Sequence, residues 1–415
     1  MKTILRNISQ LATPQGRGSR KGPEMATLSI LEHVDIYISE GRFVRIGPSL
    51  DISIKPEDTV IDASGWVATP AFIDPHTHIP FFGFREKEFF MRQGGAGYLE
   101  ILQAGGGILE TTRQVRAASI GDLVRFNLPF VRALQKKGVL VLEGKSGYGL
   151  DRQNEWKQLD TLSAIEKTSG IKIYKTFLGP HAVPPEFTSA DAYIDWLCTV
   201  ALPELAEKKG IVDFLDVFCE KGVFNYAQSK KYLDKGIALG FKTRLHADEM
   251  SFEGGSLLGA KVGAFSVDHL IAIEPSGIRA LADSKTVATL LPGTSFFLNK
   301  PFAPARNLID AGVSVALASD FNPGSCTLYD PTVIAFLAAS KLKMTPSEIL
   351  TAQTLNAAAS LGIAEKWGSV ETGKNAGLLL WDVPDYAAIP YLPGHERLKL
   401  VISPNGFLST SATRL

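Results

Sequence analysis

Two histidines two positions apart, His76 and His78 in Asp74-Pro75-His76-Thr77-His78, are the residues on which chemistry is most readily built. On an extended strand this spacing puts both imidazoles on one face, within reach of one cation. A His-x-His pair alone is a weak signal, because either histidine could be a satisfied core residue. Two further residues strengthen it. His246 and Asp320 each follow a short apolar run, and the four side chains together offer three nitrogens and one oxygen. That donor set suits Zn²⁺, or an iron ion, and leaves a position for water. An ion held this way lowers the pKa of its water to about 7, making a nucleophile available at neutral pH.

Glu249 stands three residues after His246, in His246-Ala247-Asp248-Glu249. A carboxylate just past a ligand-bearing strand can take a proton from water and pass it to a leaving nitrogen. An acidic residue favoured by a helix dipole is the plainer explanation, and Asp248 competes with Glu249 for the role. Arg85, seven residues after His78, offers a guanidinium for two-point binding of a carboxylate; a surface pair with Glu86 or Glu88 is its alternative. Lys145-Ser146-Gly147-Tyr148-Gly149 has the glycines of a tight loop approaching a ligand, and Tyr148 could donate a hydrogen bond or simply pack. Asp320-Phe321-Asn322-Pro323-Gly324-Ser325 has the same character. Gly105-Gly106-Gly107 follows no strand and no Gly-Lys-Ser/Thr closes it, so a nucleotide site is not expected.

These residues need elements to position them. Eight short apolar runs occupy the middle of the chain: Val67 to Ile73, Gly138 to Leu142, Ile171 to Phe177, Phe214 to Phe218, Phe241 to Leu245, Ala264 to Val267, Thr286 to Leu291 and Val313 to Ala318. Helical stretches separate most of them, such as Asn225 to Leu239 with Asn225 as N-cap and Gly240 as stop. Continuous apolar strands alternating with helices indicate a parallel sheet covered on both faces. Eight units point to a (β/α)8 TIM barrel, although an open doubly wound sheet reads similarly. The polar residues separate the two. His76, His78, Lys145, Tyr148, His181, His246, His269 and Asp320 all follow runs, and only a closed barrel brings such ends to one face. His33 and His395 lie elsewhere. Both chain ends are β-rich: 34–38 and 42–47 form a hairpin, and 377–381 and 398–402 are strands. The expected division is a discontinuous β-sandwich domain of residues 1–66 and 367–415 around a barrel of 67–366.

The chain has 415 residues, enough for one large domain and a smaller one. Lys and Arg number 43, as do Asp and Glu, so no broad attraction to nucleic acid or an anionic membrane is expected. No apolar run is long enough to span a bilayer, and the first twenty residues lack the apolar core of a signal peptide. Cys198, Cys219 and Cys326 are odd in number and scattered, which suits the cytoplasm.

Taken together, these segments resemble the amidohydrolase superfamily and, within it, the imidazolonepropionase family. The resemblance runs through most of the chain. It is carried by Asp74 to His78, by Tyr98-Leu99-Glu100-Ile101 with Gly105 to Ile108, and by Lys145 to Leu150. It continues in Thr176-Phe177-Leu178-Gly179-Pro180-His181-Ala182-Val183-Pro184-Pro185, Asp216-Val217-Phe218-Cys219-Glu220 and Arg244 to Glu249. Asp268-His269-Leu270, Ala318 to Ser325 and Pro390-Tyr391 complete it. It implies one Zn²⁺ or iron ion on His76, His78, His246 and Asp320. It implies substrate contacts from Arg85, Tyr148, His181, Asn322, Gly324 and Ser325, with Glu249 and His269 acting on the water and its proton. The implied reaction opens the ring of 4-imidazolone-5-propanoate, a carboxylate-bearing small molecule of histidine degradation, and the implied assembly is a homodimer. Two departures from the family pattern stand out. Phe82 and Phe84 flank Gly83 where a small, Gly-rich turn is usual, and Gly144 precedes Lys145 where an aliphatic residue is usual.

Three other readings compete. A hydantoinase-like enzyme would use two metals bridged by a modified lysine on strand four, but that strand ends in Asp216 and Glu220. An aminohydrolase of purine- or pyrimidine-like rings would release ammonia. A non-catalytic binding protein would keep the fold without turnover.

Overall fold

The computed structural model describes residues 2–97, 100, 105–208 and 210–409. Eight parallel strands in the described residues form the barrel, in the order Val315–Leu317, Val287–Leu290, Ser266–His269, Lys242–Ala247, Phe214–Leu215, Lys172–Phe177, Val139–Lys145 and Phe72–Asp74. A short extra pair, Phe218–Cys219, extends the fourth strand along the fifth. The first and eighth strands join at a parallel bridge between Thr77 and Phe321, with His78 N donating to Phe321 O at 2.9 Å and Asp320 N to His76 O at 3.0 Å. The closed barrel expected from the eight runs is therefore present, and the open sheet is not.

Strand burial explains the continuous apolar runs. All seven residues of Val139–Lys145 are buried, because one face looks into the barrel and the other onto helices Ile120–Lys136 and Arg152–Ser169. The caps are legible in sequence: Asn225 accepts from Gln228 N and donates its own N–H to the Gln228 side chain, opening helix Tyr226–Ala238, and Gly240 follows at φ +88°.

The first apolar run divides. Val67–Pro70 pairs with Leu378–Trp381 and with Lys2–Thr13, whereas Phe72–Asp74 belongs to the barrel. The strands from the two chain ends form one mixed eight-stranded sheet, Leu5, Ile8, Leu11, Ile36, Leu378 and Leu400 meeting in a core of their own. The hairpin of Ser29–Ser39 with Arg42–Gly47 is present. The long opening strand Lys2–Thr13 is an addition to the sequence reading. It is half polar on the outside and lacks the clean alternation of its neighbours.

Candidate active site

The C-terminal ends of the barrel strands bring the polar residues together. His76 Nε2 lies 3.4 Å and His78 Nε2 3.3 Å from Asp320 Oδ1, and His246 Nε2 lies 3.3 Å from His78 Nε2. All four side chains are buried. Ligand atoms of His76, His246 and His269 also lie within 4.8 Å of one another.

Apart from the pair of His246 and His78, these contacts are not hydrogen bonds. His76 Nε2, Asp320 Oδ1 and both ring nitrogens of His269 are buried without a hydrogen-bond partner. Buried polar atoms left unpaired cost stability, and several aimed at one point fit a cation better than each other. The electrostatics agree. Burial and Lys145 act against a proton on His76, yet Asp268 and Asp320 prevail and raise its pKa to about 9, so positive charge is favoured there. Asp320 is held well below the usual carboxylate range: against the effect of burial, its contacts with His76 and His78 keep it ionised. The donor set therefore fits a first-row metal ion.

The outer faces of two histidines are gripped. His76 Nδ1 bonds Asp268 Oδ2 at 2.6 Å, and His246 Nδ1 bonds Asp216 Oδ1 at 3.1 Å. Such partners fix the tautomer that presents Nε2 inward. Several residues here hold left-handed backbone, at φ +49° for Asp248, +78° for His269 and +53° for Asp320. Outside glycine this conformation is uncommon, and it turns the strand ends abruptly into the site.

Geometry also separates Asp248 from Glu249. Asp248 accepts from Gly255 N at 3.1 Å and Ser256 N at 3.2 Å, so it is committed to the start of helix Gly255–Val262. Glu249 points the other way, its Oε2 lying 3.6 Å from His269 Nε2. Burial, with the charges of Asp320 and Glu220, pushes the Glu249 carboxyl up to about 8, while burial lowers His269 to about 3. Glu220, which the sequence reading left without a role, accepts from Glu249 N at 3.1 Å and Met250 N at 2.9 Å and so shapes this turn.

The other site residues line the approach. His181 stacks on His78 with ring centroids 5.1 Å apart and bonds Gly147 O through Nδ1 at 2.9 Å; burial lowers its pKa to about 3. Tyr148 is buried 5.9 Å from the His78 ring; burial pushes its hydroxyl pKa up, and Arg85 opposes the rise. Arg85 pairs with Glu88 at 3.2 Å and borders Gly324. Ser325 and Gly324 donate backbone N–H groups to Asn322 Oδ1, while Asn322 Nδ2 bonds Asp320 O at 2.7 Å, so the Asn322 amide is spent on its own loop. Glu88 also accepts from Gly107 N at 2.8 Å. Tyr98, Leu99 and Ile101 lie outside the described residues.

Both departures from the family pattern have physical explanations. A β-carbon at Gly144 would come within 2.9 Å of Ile79 O and also collide with Leu162, so helix Arg152–Ser169 packs where an aliphatic side chain would stand. Phe82 and Phe84 pack against Phe126, and Phe84 also meets Phe81 and Phe130, so both rings are engaged with helix Ile120–Lys136. No helix among the described residues is long and apolar enough to cross a membrane.

An amidohydrolase family model matches residues 231–405. The chain is 43% identical over 386 residues to the imidazolonepropionase of Kosmotoga olearia, covering 93% of each protein. It is 42% identical over 404 residues to that of Bacillus cereus, covering 97% of this chain and 95% of the relative. Among solved structures, a triazine hydrolase variant matches at TM-score 0.77 and 15% identity, over 98% of this chain and 94% of that one. A zinc-bound adenosine deaminase from Xanthomonas campestris matches at TM-score 0.72 and 16% identity, over 98% and 92%. At such identity the likeness is one of fold.

Proposed function

Because the chain belongs to the imidazolonepropionase family of amidohydrolases, we propose that it is a metal-dependent hydrolase of histidine degradation that opens the cyclic amide of 4-imidazolone-5-propanoate to N-formimidoyl-L-glutamate. The observation that carries this reading is the convergence of His76, His78, His246 and Asp320, with buried atoms lacking partners, beside an acid, Glu249, whose pKa is raised to about 8. Those four residues would hold one Zn²⁺ or iron ion per chain. When bound, such an ion makes water more acidic and polarises a carbonyl. We take the catalytic unit as residues 72–366 and the β unit as 1–70 with 367–415, since Val67–Pro70 pairs with Leu378–Trp381 and Lys2–Thr13. The three cysteines are free and buried, in keeping with a reducing cytoplasm.

The chain's own residues divide the work. Arg85 binds the propanoate by two-point hydrogen bonding, held at its far side by Glu88. Tyr148 and His181 border the ring, with Gly324 and Ser325 on the Asn322 loop opposite. Water adds its oxygen to the ring carbonyl carbon, and Glu249, whose carboxylate form a bound cation nearby would favour, accepts the proton released. A proton returns from Glu249 to the ring nitrogen as the carbon–nitrogen bond breaks, so no net proton is lost. His269, whose Nε2 lies 3.6 Å from the Glu249 carboxyl, shares the handling of that proton.

The test is an assay of imidazolonepropionate decay with and without a chelator. Decay that stops on chelation and returns with Zn²⁺ or Fe²⁺ is expected. Absence of decay in the metal-loaded protein defeats the narrow substrate assignment, and release of ammonia from a ring substrate would favour an aminohydrolase instead.

A further inference from the structure

Beneath the site lies a web of charged side chains that the reaction does not touch. Glu143, Lys145, Asp216, Arg244 and Asp268 are all fully buried inside the barrel. Lys145 Nζ donates to Glu143 Oε1 at 2.7 Å and to Asp216 Oδ2 at 2.8 Å. Both Asp216 oxygens lie 3.1 Å from His246 Nδ1, with Oδ1 taking its hydrogen bond. Arg244 donates to Asp268 Oδ2 at 3.0 Å, the oxygen that meets His76 Nδ1, and to Pro75 O at 2.7 Å. The two halves meet at Glu143, whose Oε1 lies 3.9 Å from Arg244 Nε and whose Oε2 accepts from Thr77 N, between the two strand-one histidines.

Stability does not explain such a web, because well-packed apolar side chains in the same space would hold a barrel interior equally well or better. Its connections do suggest a purpose. Each cation reaches one carboxylate that ends on the outer nitrogen of a site histidine, Lys145 through Asp216 to His246 and Arg244 through Asp268 to His76.

We propose that Lys145 and Arg244 are positioning residues, holding Asp216 and Asp268 so that His246 and His76 present Nε2 inward to the metal. Lys145 thus acts on the ion through two intermediates without touching it. The inference rests on the metal-site reading above. It predicts that the web sets metal affinity more than it sets folding.

The test is Zn²⁺ affinity of the chelator-stripped protein, measured by competition with a chromophoric chelator, together with the visible absorption of the Co²⁺-loaded form. Asp216→Asn and Asp268→Asn preserve shape, and each is expected to weaken Zn²⁺ binding by about 10–100-fold while retaining native near-ultraviolet circular dichroism. Their Co²⁺ spectra should shift, since the ring each carboxylate holds is released. Lys145→Met should weaken binding similarly, and Lys145→Arg, which keeps a cation beside Asp216, should recover part of the loss. Unchanged affinity and an unchanged Co²⁺ spectrum in folded D216N overturn the inference, and D216N decides the matter alone if K145M does not fold. A native protein that binds neither Zn²⁺ nor Co²⁺ overturns the metal-site reading itself, which is a distinguishable result.

Discussion

The guanidinium of Arg85 occupies the space that a β-carbon at Gly324 would need. Gly324 is thus a glycine for reasons of close approach. Two further contacts fix the arginine: its backbone N–H bonds Pro323 O at 3.2 Å, and its Nε pairs with Glu88. Replacing Gly324 by alanine should push the guanidinium aside and leave the barrel intact. With one charge-assisted contact to the substrate carboxylate weakened, KM should rise about tenfold, while kcat changes little. Steady-state kinetics check this, and an unchanged KM would remove Arg85 from the carboxylate site.

Glu249→Gln keeps the size of the side chain and removes its ability to take a proton. Metal content should match the native protein, since Glu249 is not among the converging donors. Turnover should fall about 10²–10⁴-fold, the usual worth of a positioned acid–base group. Metal analysis and turnover measured on one preparation decide the point, and near-normal turnover would return the proton chemistry to His269.

Much of this site was legible because barrel strands place their last residues on one face. Eight apolar runs ending in polar residues were enough to group His76, His78, His246, His269 and Asp320. Tertiary geometry decided what the sequence could not. Asp248 and Glu249 are equivalent on paper, and only the position of helix Gly255–Val262 shows that Asp248 is its cap. Asn322 looked free to meet a ligand, but short-range bonds within its loop use its amide. The division of the first apolar run at Ala71 was hidden because both sheets bury it equally.

Glu220 offers a test of how strictly the Glu249 turn must be held. Its carboxylate accepts from two successive backbone N–H groups, at Glu249 and Met250, and from the Ser251 hydroxyl. Both N–H groups share one oxygen, Oε2, and Glu220→Ala removes that acceptor from both. A displacement on the order of 1 Å at the catalytic carboxylate can cost about 10²-fold, so kcat should fall by about 10–100-fold with KM and metal content near native. A fall in metal content instead would mean that Glu220 supports the strand carrying His246.

Glu155 carries a large expected stability effect away from the metal centre. It lies on the first turn of helix Arg152–Ser169 and is fully buried. Its Oε1 accepts from Gly147 N at 3.1 Å, Gly149 N at 2.8 Å and Leu150 N at 2.7 Å, and so closes the loop that bears Tyr148. Gln158, on the next turn, accepts from Tyr148 N at 3.0 Å and donates to Pro80 O at 2.7 Å, tying that loop to the end of strand one. Glu155→Ala would leave three buried N–H groups without a partner, each costing about 1–3 kcal/mol, so a loss of about 3 kcal/mol or more is expected. Glu155→Gln retains an acceptor oxygen and should lose less than half as much. Urea unfolding of the two variants beside the native protein measures the difference. Because the same loop passes Gly147 O to His181, both variants should also raise KM in the order of their instability. Equal stability of E155A and the native protein would show that the loop holds its shape without this carboxylate.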